Sequence, residues 1–145
     1  MVQAVPVSVA QGIDPSAYDL VIVGGPTHVH GMSRESTRQA AEEAATTSDG
    51  NLVIEPNAAG AGVREWLTSL SELTGRAAAF DTRLDAIPLF TGRASTGIAK
   101  LLRTAGFELI AEPESFLVDK ATHLLPSEGA RAQAWGVQLA AAAGE

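Results

Sequence analysis

Two short apolar runs without alternation stand out in the hydrophobic pattern of this chain. Residues 20–23 read Leu-Val-Ile-Val, and residues 77–80 read Ala-Ala-Ala-Phe. Unbroken runs of this length are typical of parallel strands that are buried on both faces. The first run meets Gly24-Gly25-Pro26, where the sequence predicts that the strand stops and the backbone turns. We therefore expect two buried strands that belong to a parallel sheet.

Helical spacing of apolar residues follows these strands. The pattern predicts helices from Ser33 to about Thr47, through Val63, Trp66, Leu67, Leu70 and Leu73 to Gly75, and through Ile98, Leu101, Leu102 and Ala105 to Gly106. A last helix begins at Ser127, a residue type favoured at the N-cap, and Glu128 is placed to interact with the helix dipole. The two tryptophans of the chain lie on helix faces among apolar neighbours, so we expect them in the core.

Weaker signals predict the remaining elements. Residues 2–9 alternate loosely and predict an edge strand, because Pro6 cannot donate a hydrogen bond to a ladder. Residues 107–110 and 116–118 predict one strand that is interrupted at Pro113. Residues 52–54 fit a short strand or a loop. Strands that alternate with helices indicate a single α/β domain over residues 1–145, built on a doubly wound parallel sheet.

Composition narrows the classes of function. The formal net charge is −7, so no basic stripe is present to neutralise phosphates, which argues against nucleic acid as a partner. The acidic balance fits docking onto a basic protein and a role in solubility equally well. The absence of cysteine excludes disulfides and thiolate catalysis. No apolar run approaches about 18 residues and no leader precedes the first strand, so we expect a cytoplasmic protein with no membrane partner.

Residues that carry chemistry follow both buried strands. Thr27, His28 and His30 come after the first strand, and residues 81–83 (Asp-Thr-Arg) come at the end of the second. Ligands of open α/β sheets bind at the carboxyl ends of the strands. The sequence therefore predicts a site at this edge of the sheet.

The same segments resemble the flavodoxin family. Residues 18–31 (Tyr-Asp-Leu-Val-Ile-Val-Gly-Gly-Pro-Thr-His-Val-His-Gly) resemble the strand and first flavin-contacting loop of that family, and residues 77–83 resemble the next strand and the second loop. Residues 106–110 and 115–118 resemble the split last strand, and residues 130–140 the closing helix. The resemblance spans about residues 5–140 and implies a flavodoxin-like three-layer α/β/α fold with a short parallel sheet.

The resemblance further implies that the chain binds FMN and passes electrons to a redox partner protein. The cofactor-binding residues it implies are Pro26, Thr27, His28, Val29, His30 and Gly31 on one side of the flavin ring, and Asp81, Thr82 and Arg83 on the other. His28 would hold the stacking position, and Arg83 would stabilise anionic flavin near N1 or the phosphate.

One part of the family pattern is absent from this sequence. Flavodoxins begin with a strand, a Ser/Thr-Gly-rich phosphate loop and a helix, whereas Met1 is followed almost at once by a segment that resembles the second strand. We therefore expect an N-terminally truncated domain with weakened or lost FMN binding. The missing strand would expose apolar surface and favour a homodimer or a strand-exchanged oligomer. A start codon upstream of Met1 is the alternative explanation.

Residues 91–97 (Thr-Gly-Arg-Ala-Ser-Thr-Gly) offer another place for a phosphate. Gly92, Arg93 and the hydroxyls of Thr91, Ser95 and Thr96 precede or begin a helix, where amide groups favour an anion. The competing interpretation is an ordinary helix cap in a polar loop.

The sequence also fits two other functions. His28 and His30 form a His-x-His pair that would bind a metal ion with Asp81 as the third ligand, which would make the chain a metal-dependent enzyme. Alternatively, the histidines face solvent and the chain is a cofactor-free scaffold for assembly or regulation. No Gly-x-Ser-x-Gly segment is present, so nothing indicates a hydrolase.

Overall fold

The computed structural model describes residues 1–28, 31–32, 62–87 and 91–144. In these residues the strands are β1 (Val21–His28), β2 (Gly31–Met32), β3 (Arg76–Leu84), β4 (Glu108–Leu109) and β5 (Glu114–Val118). The helices are α1 (Val7–Ala10), α2 (Val63–Ser69), α3 (Ala94–Ala105) and α4 (Glu128–Ala143), with a 3-10 turn over Pro15–Ala17. The helix predicted from Ser33 to Thr47 and the strand or loop at residues 52–54 lie outside the described residues.

Strand β3 lies at the centre of an open sheet. It pairs in parallel with β1 on one side and with β4 and then β5 on the other. The short β2 is antiparallel to the end of β1. The chain is thus an α/β protein with a mostly parallel sheet, as the sequence predicts. The predicted split of the last strand is also confirmed, since β4 and β5 are two segments separated by Pro113 that pair with the same neighbour.

Strand β1 does not stop at the glycines, which corrects the prediction of a turn there. Gly24, Gly25 and Pro26 continue the parallel ladder opposite Phe80, Asp81 and Thr82. Glycine is usually unfavourable in a strand because it leaves nothing to pack. Here the ring of Phe80 occupies the space where a Gly24 side chain would project. The strand consequently extends five residues beyond the apolar run, to His28, and includes Thr27.

The amino-terminal edge strand predicted over residues 2–9 is wrong. Residues 1–6 have no regular secondary structure, and α1 begins after Pro6, which holds the N-cap position. Proline lacks the amide hydrogen that a ladder needs, and its fixed φ suits the start of a helix. Val7 and Ala10, three residues apart, pack against the core, so a helical rather than an alternating period decides the structure of this segment.

The core lies between α3, α2 and one face of the sheet. Ala77 and Ala79 of β3 are fully buried there against Ile98 and Leu102 of α3, and Trp66 of α2 joins the same cluster. Small alanine side chains on the strand leave room for the larger side chains of the helix. The core placement predicted for Trp66 is therefore confirmed.

Phe80 belongs to the other set of side chains on β3, because successive strand residues point to opposite faces. Its ring lies edge to face with those of Phe116 and Trp135, each at a centroid distance of 6.0 Å, and the Phe116 and Trp135 rings are 5.8 Å apart. Edge-to-face pairs add favourable electrostatics to the burial of the rings. Trp135 thereby joins α4 to the sheet.

One helix end and one helix cap differ in detail from the prediction. Helix α2 ends at Ser69 rather than near Gly75, because Leu70 turns into an extended conformation and the Leu73 amide bonds to the Ala105 carbonyl at 2.9 Å. Ser127 holds the N-cap position of α4 as predicted, but its side chain makes no capping hydrogen bond. None of the helices within the described residues is long and apolar enough to cross a membrane.

Candidate functional site

The carboxyl ends of β1 and β3 meet the first turn of α3. Thr27 Oγ1 accepts a hydrogen bond of 3.0 Å from the Ala94 amide, and Asp81 Oδ2 accepts one of 2.7 Å from the Ser95 amide. The parallel pairing of the two strands brings these side chains to the same edge. Three residues that the sequence places in three separate candidate segments, Thr27, Asp81 and Ser95, thus lie together.

This arrangement gives α3 a cap that comes from the sheet. Arg93 holds the N-cap position but makes no capping bond with its side chain. Thr27 and Asp81 instead satisfy two of the amides that a helix leaves unpaired at its start. A carboxylate at this position also interacts favourably with the helix dipole. The amides of Ala94 and Ser95 therefore already have oxygen acceptors from the protein itself.

Asp81 and Ser95 are both fully buried. Asp81 Oδ1 and Ser95 Oγ have no hydrogen-bond partner within the described part of the chain. Unpaired buried oxygens of this kind are uncommon in folded proteins. The capping bond therefore uses Oδ2 of Asp81, and Oδ1 of the same carboxylate has no partner among the described residues.

The other residues of the segment 91–97, where the sequence predicts a phosphate site, do not join Thr27 and Asp81. Arg93 donates from Nε to Ser115 Oγ at 3.0 Å and from Nη2 to the Pro113 carbonyl at 2.8 Å. These bonds fix the bend between β4 and β5. Thr91 Oγ1 donates to the Gly92 carbonyl at 3.1 Å. Thr96 is exposed on the surface of α3.

Beyond Asp81, the strand β3 carries Thr82 and Arg83. Thr82 is opposite Pro26 on one side and Phe116 on the other. Arg83 donates from Nη1 to the Ala86 carbonyl at 2.9 Å, which closes the turn after the strand. Pro26 and Thr82 thus lie side by side at the sheet edge where the sequence predicts the two loops of the site to meet.

A cavity of about 420 Å³ lies beside this edge, lined by Arg83, Arg93, Glu114, Ser115, Leu117, Glu128 and Arg131. Arg131 of α4 donates to Glu114 Oε1 and to Glu128 Oε2, both at 2.7 Å, and to the Ser115 carbonyl. Its guanidinium also lies 4.7 Å above the centroid of the Phe116 ring. These contacts join α4 to β5 from three directions.

The ion pair between Glu128 and Arg131 shifts the pKa of both side chains. The hydrogen bond from Arg131 holds the pKa of Glu128 below its usual value despite the opposing effect of burial, and the positive charge of Arg83 acts in the same direction. The hydrogen bond to Glu128 raises the pKa of Arg131 in turn. Glu128 therefore stays ionised although the residue is largely buried.

The sequence pattern alone does not predict the whole of this charged cluster. Glu128 and Arg131 are three residues apart on a predicted helix, and that spacing is a visible signal for an ion pair. Glu114 and Ser115, in contrast, reach Arg131 only through the tertiary packing of α4 against β5.

Several predicted site residues lie outside the described structure. These are Val29, His30 and the side chain of His28. In the described ranges, no group of three or more His, Cys, Asp and Glu side chains is arranged to hold a metal ion. His123, the third histidine, is 78% exposed and lies beside Asp119, far from Asp81 along the chain.

An apolar groove of about 440 Å³ runs between the amino-terminal segment and β1. Val5, Tyr18 and Ile22, which line it, are 38%, 42% and 45% exposed. Its walls therefore present apolar side chains to the surface near the start of the chain.

Comparison of the chain with protein-family models, curated proteins and solved structures finds no match. The fold and the site place the chain in the general class of α/β proteins with an open parallel sheet.

Proposed function

We propose that this chain is a flavodoxin-like module that binds FMN weakly at the carboxyl edge of β1 and β3 and exchanges electrons with a partner protein. The observation that supports this proposal is the meeting of Pro26 and Thr82, and of Thr27 and Asp81, at one edge of a parallel sheet. Planar cofactors of α/β proteins bind at this edge.

The residues at the edge suit the flavin ring better than the flavin phosphate. The side chains of Thr27 and Asp81 are bonded to α3. The flavin ring would therefore contact the backbone around Pro26 and Thr82. FMN, when bound, would supply one- and two-electron chemistry. The role of this chain would be to bracket the ring between residues 26–31 and 81–83. Arg83 would favour the reduced, anionic ring through its positive charge.

Helix amides at this place could otherwise bind a phosphate. Here they donate hydrogen bonds to the side chains of Thr27 and Asp81 instead. A second anion at the same place would lie against the carboxylate of Asp81. We therefore expect the phosphate of FMN to add little to binding, so that FMN and riboflavin bind with similar, weak affinity.

Titration with FMN and with riboflavin, followed by flavin absorbance and fluorescence, tests this proposal. We expect saturable binding of both, with dissociation constants within about tenfold of each other, or about 1.4 kcal/mol. His28→Ala should weaken binding of both flavins, and His123→Ala is the matched control because His123 lies on an exposed turn. The absence of saturable binding up to about 1 mM flavin, a free energy of about −4 kcal/mol, would contradict the proposal.

A cofactor-free scaffold is the second candidate, and the exposed apolar residues around the amino-terminal groove favour it. Apolar patches at a protein surface mark sites of association. In that case the chain would form a homodimer or strand-exchanged oligomer and would ignore flavins. Sedimentation equilibrium at several concentrations distinguishes a dimer from a monomer, and Ile22→Thr in the groove should weaken the association.

A further inference from the structure

The cavity beside the sheet edge has an excess of positive charge. Three arginines, Arg83, Arg93 and Arg131, and two glutamates, Glu114 and Glu128, line it. Three positive charges less two negative charges leave a net charge of +1. This local sign is opposite to that of the whole chain, whose net charge is −7.

The excess positive charge comes from Arg83 and Arg93, because Arg131 is paired with glutamates. Arg131 is matched by both carboxylates, since it bonds to Glu114 and to Glu128 at 2.7 Å. Arg83 and Arg93 have no carboxylate within ion-pair distance among the described residues. Their hydrogen bonds go to neutral oxygens: Arg83 to the Ala86 carbonyl, and Arg93 to Ser115 Oγ and the Pro113 carbonyl.

Both arginines are held in place by those bonds. Arg83 is fixed to the turn after β3, and Arg93 to the bend between β4 and β5. A guanidinium has five N–H donors, and the bonds above use only part of them. Two partly buried, pre-oriented guanidiniums that line one cavity form a geometry suited to the acidic oxygens of an anion.

We propose that this cavity binds the phosphate group of a small ligand between Arg83 and Arg93. A phosphate carries up to two negative charges and several acceptor oxygens, which matches two guanidiniums without carboxylate partners. The volume of about 420 Å³ leaves room for a ligand larger than the phosphate itself. The site is separate from the α3 amides that Thr27 and Asp81 occupy. It shares Arg83 with the proposed flavin site, so phosphate binding is tested without flavin.

The two glutamates limit the affinity. Glu114 and Glu128 repel an anion that approaches Arg83, although their charges are partly offset by Arg131. We therefore expect a dissociation constant for inorganic phosphate on the order of 1 mM.

Titration of the flavin-free, 15N-labelled protein with inorganic phosphate tests the site. The Nε–Hε resonances of the arginines are followed by NMR, with sodium chloride adjusted to hold the ionic strength constant. We expect saturable shifts of the Arg83 and Arg93 resonances. A linear response without saturation, or shifts spread equally over all arginines, would overturn the proposal.

Charge variants test the same site in opposite directions. Arg83→Gln should weaken phosphate binding by about fivefold, the effect of one screened charge interaction. Glu114→Gln removes a repelling carboxylate and should tighten binding by a similar factor. Arg103→Gln is the matched control, because Arg103 lies near the far end of α3 and does not line the cavity. Equal weakening by Arg83→Gln and Arg103→Gln would overturn the proposal.

Two further ligands identify the source of the phosphate group. Tighter binding of glycerol 2-phosphate than of inorganic phosphate would indicate an organic phosphate ester, and the reverse order would indicate free phosphate. Acetate should bind more weakly than either, because it carries one charge; binding of acetate as tight as that of phosphate would overturn the assignment. No flavin is present in this test, so its failure would leave the flavin proposal unaffected. Failure of the flavin titration would likewise leave the phosphate proposal unaffected.

Discussion

Asp81 Oδ2 accepts a hydrogen bond of 2.7 Å from the amide of Ser95 and so links the central strand to the start of α3. The two residues are 14 positions apart in the chain, and both are fully buried. The carboxylate satisfies an amide that has no partner within the helix, and its negative charge interacts favourably with the helix dipole. This contact therefore has a structural role whether or not the sheet edge also binds a ligand.

Asp81→Ala should lower the free energy of unfolding by about 2 kcal/mol, since it removes the cap and leaves a buried amide without a partner. Asp81→Asn should cost less, because the amide side chain keeps an acceptor oxygen and loses only the charge. Urea unfolding at pH 7 measures both. Asp85→Asn, at an exposed position, is the matched control. If Asp81→Ala and Asp85→Asn lower stability equally, the cap contributes nothing.

The sequence predicts the position of Asp81 but not its partner. An apolar run that ends in Asp-Thr-Arg marks the carboxyl end of a buried strand, and the parallel sheet then places Thr27 close to it. Both side chains bond to α3 because of the way the helix packs over the sheet. The local sequence pattern carries no information about this packing. The strand predicted over residues 2–9 fails for a related reason: loose alternation does not distinguish a strand from a short helix when few residues are buried.

The close approach of Gly24 and Phe80 gives a second prediction. A Cβ at Gly24 would lie 2.1 Å from the Phe80 ring, which is held by edge-to-face contacts with Phe116 and Trp135. Gly24→Ala should therefore lower the free energy of unfolding by about 1–3 kcal/mol, the usual cost of overpacking. Thermal or urea unfolding measures this loss.

A double mutant identifies the cause of that loss. In a Phe80→Leu background the smaller side chain leaves room for the methyl group, so Gly24→Ala should cost at least about 0.5 kcal/mol less than in the parent chain. Gly136→Ala in α4 is the matched control, because a Cβ there meets nothing within 4 Å. Strict additivity of the two substitutions would show that the Phe80 ring is not what excludes a side chain at position 24.

Gly106, which ends α3, gives a third prediction. Its φ is +116°, and a Cβ would lie 1.9 Å from the Leu73 carbonyl oxygen, a backbone atom that cannot move away as a side chain can. The same short segment holds the hydrogen bond from the Leu73 amide to the Ala105 carbonyl. Gly106→Ala should therefore cost more than Gly24→Ala, about 3 kcal/mol or more, from backbone strain and overpacking together. A cost below that of Gly24→Ala, measured by urea unfolding, would contradict this ranking.

The ion pair of Glu128 with Arg131 gives the last prediction, which concerns pH. The hydrogen bond from Arg131, supported by the charge of Arg83, lowers the pKa of Glu128 in the folded chain below its ordinary value of 4.5. A carboxyl group whose pKa is lower in the folded than in the unfolded state binds fewer protons when folded. Its contribution to stability is therefore fully present above about pH 4.5 and is lost as the pH falls through the lower, folded-state value. Asp14 and Asp119, whose pKa values are also lowered by hydrogen bonds, act in the same direction.

Glu128→Gln separates the contribution of Glu128 from that of the two aspartates, which the variant retains. At pH 7 the variant should be less stable than the parent chain, because Arg131 loses a buried ionic partner. Between pH 5 and about pH 3 the difference should shrink, since the parent chain loses the same charge by protonation. Urea unfolding at pH 7, 5, 4 and 3 measures the difference, with the exposed Glu108→Gln as control. A difference that stays constant over this range would mean that packing of the Glu128 side chain, rather than its charge, stabilises the junction of α4 with β5.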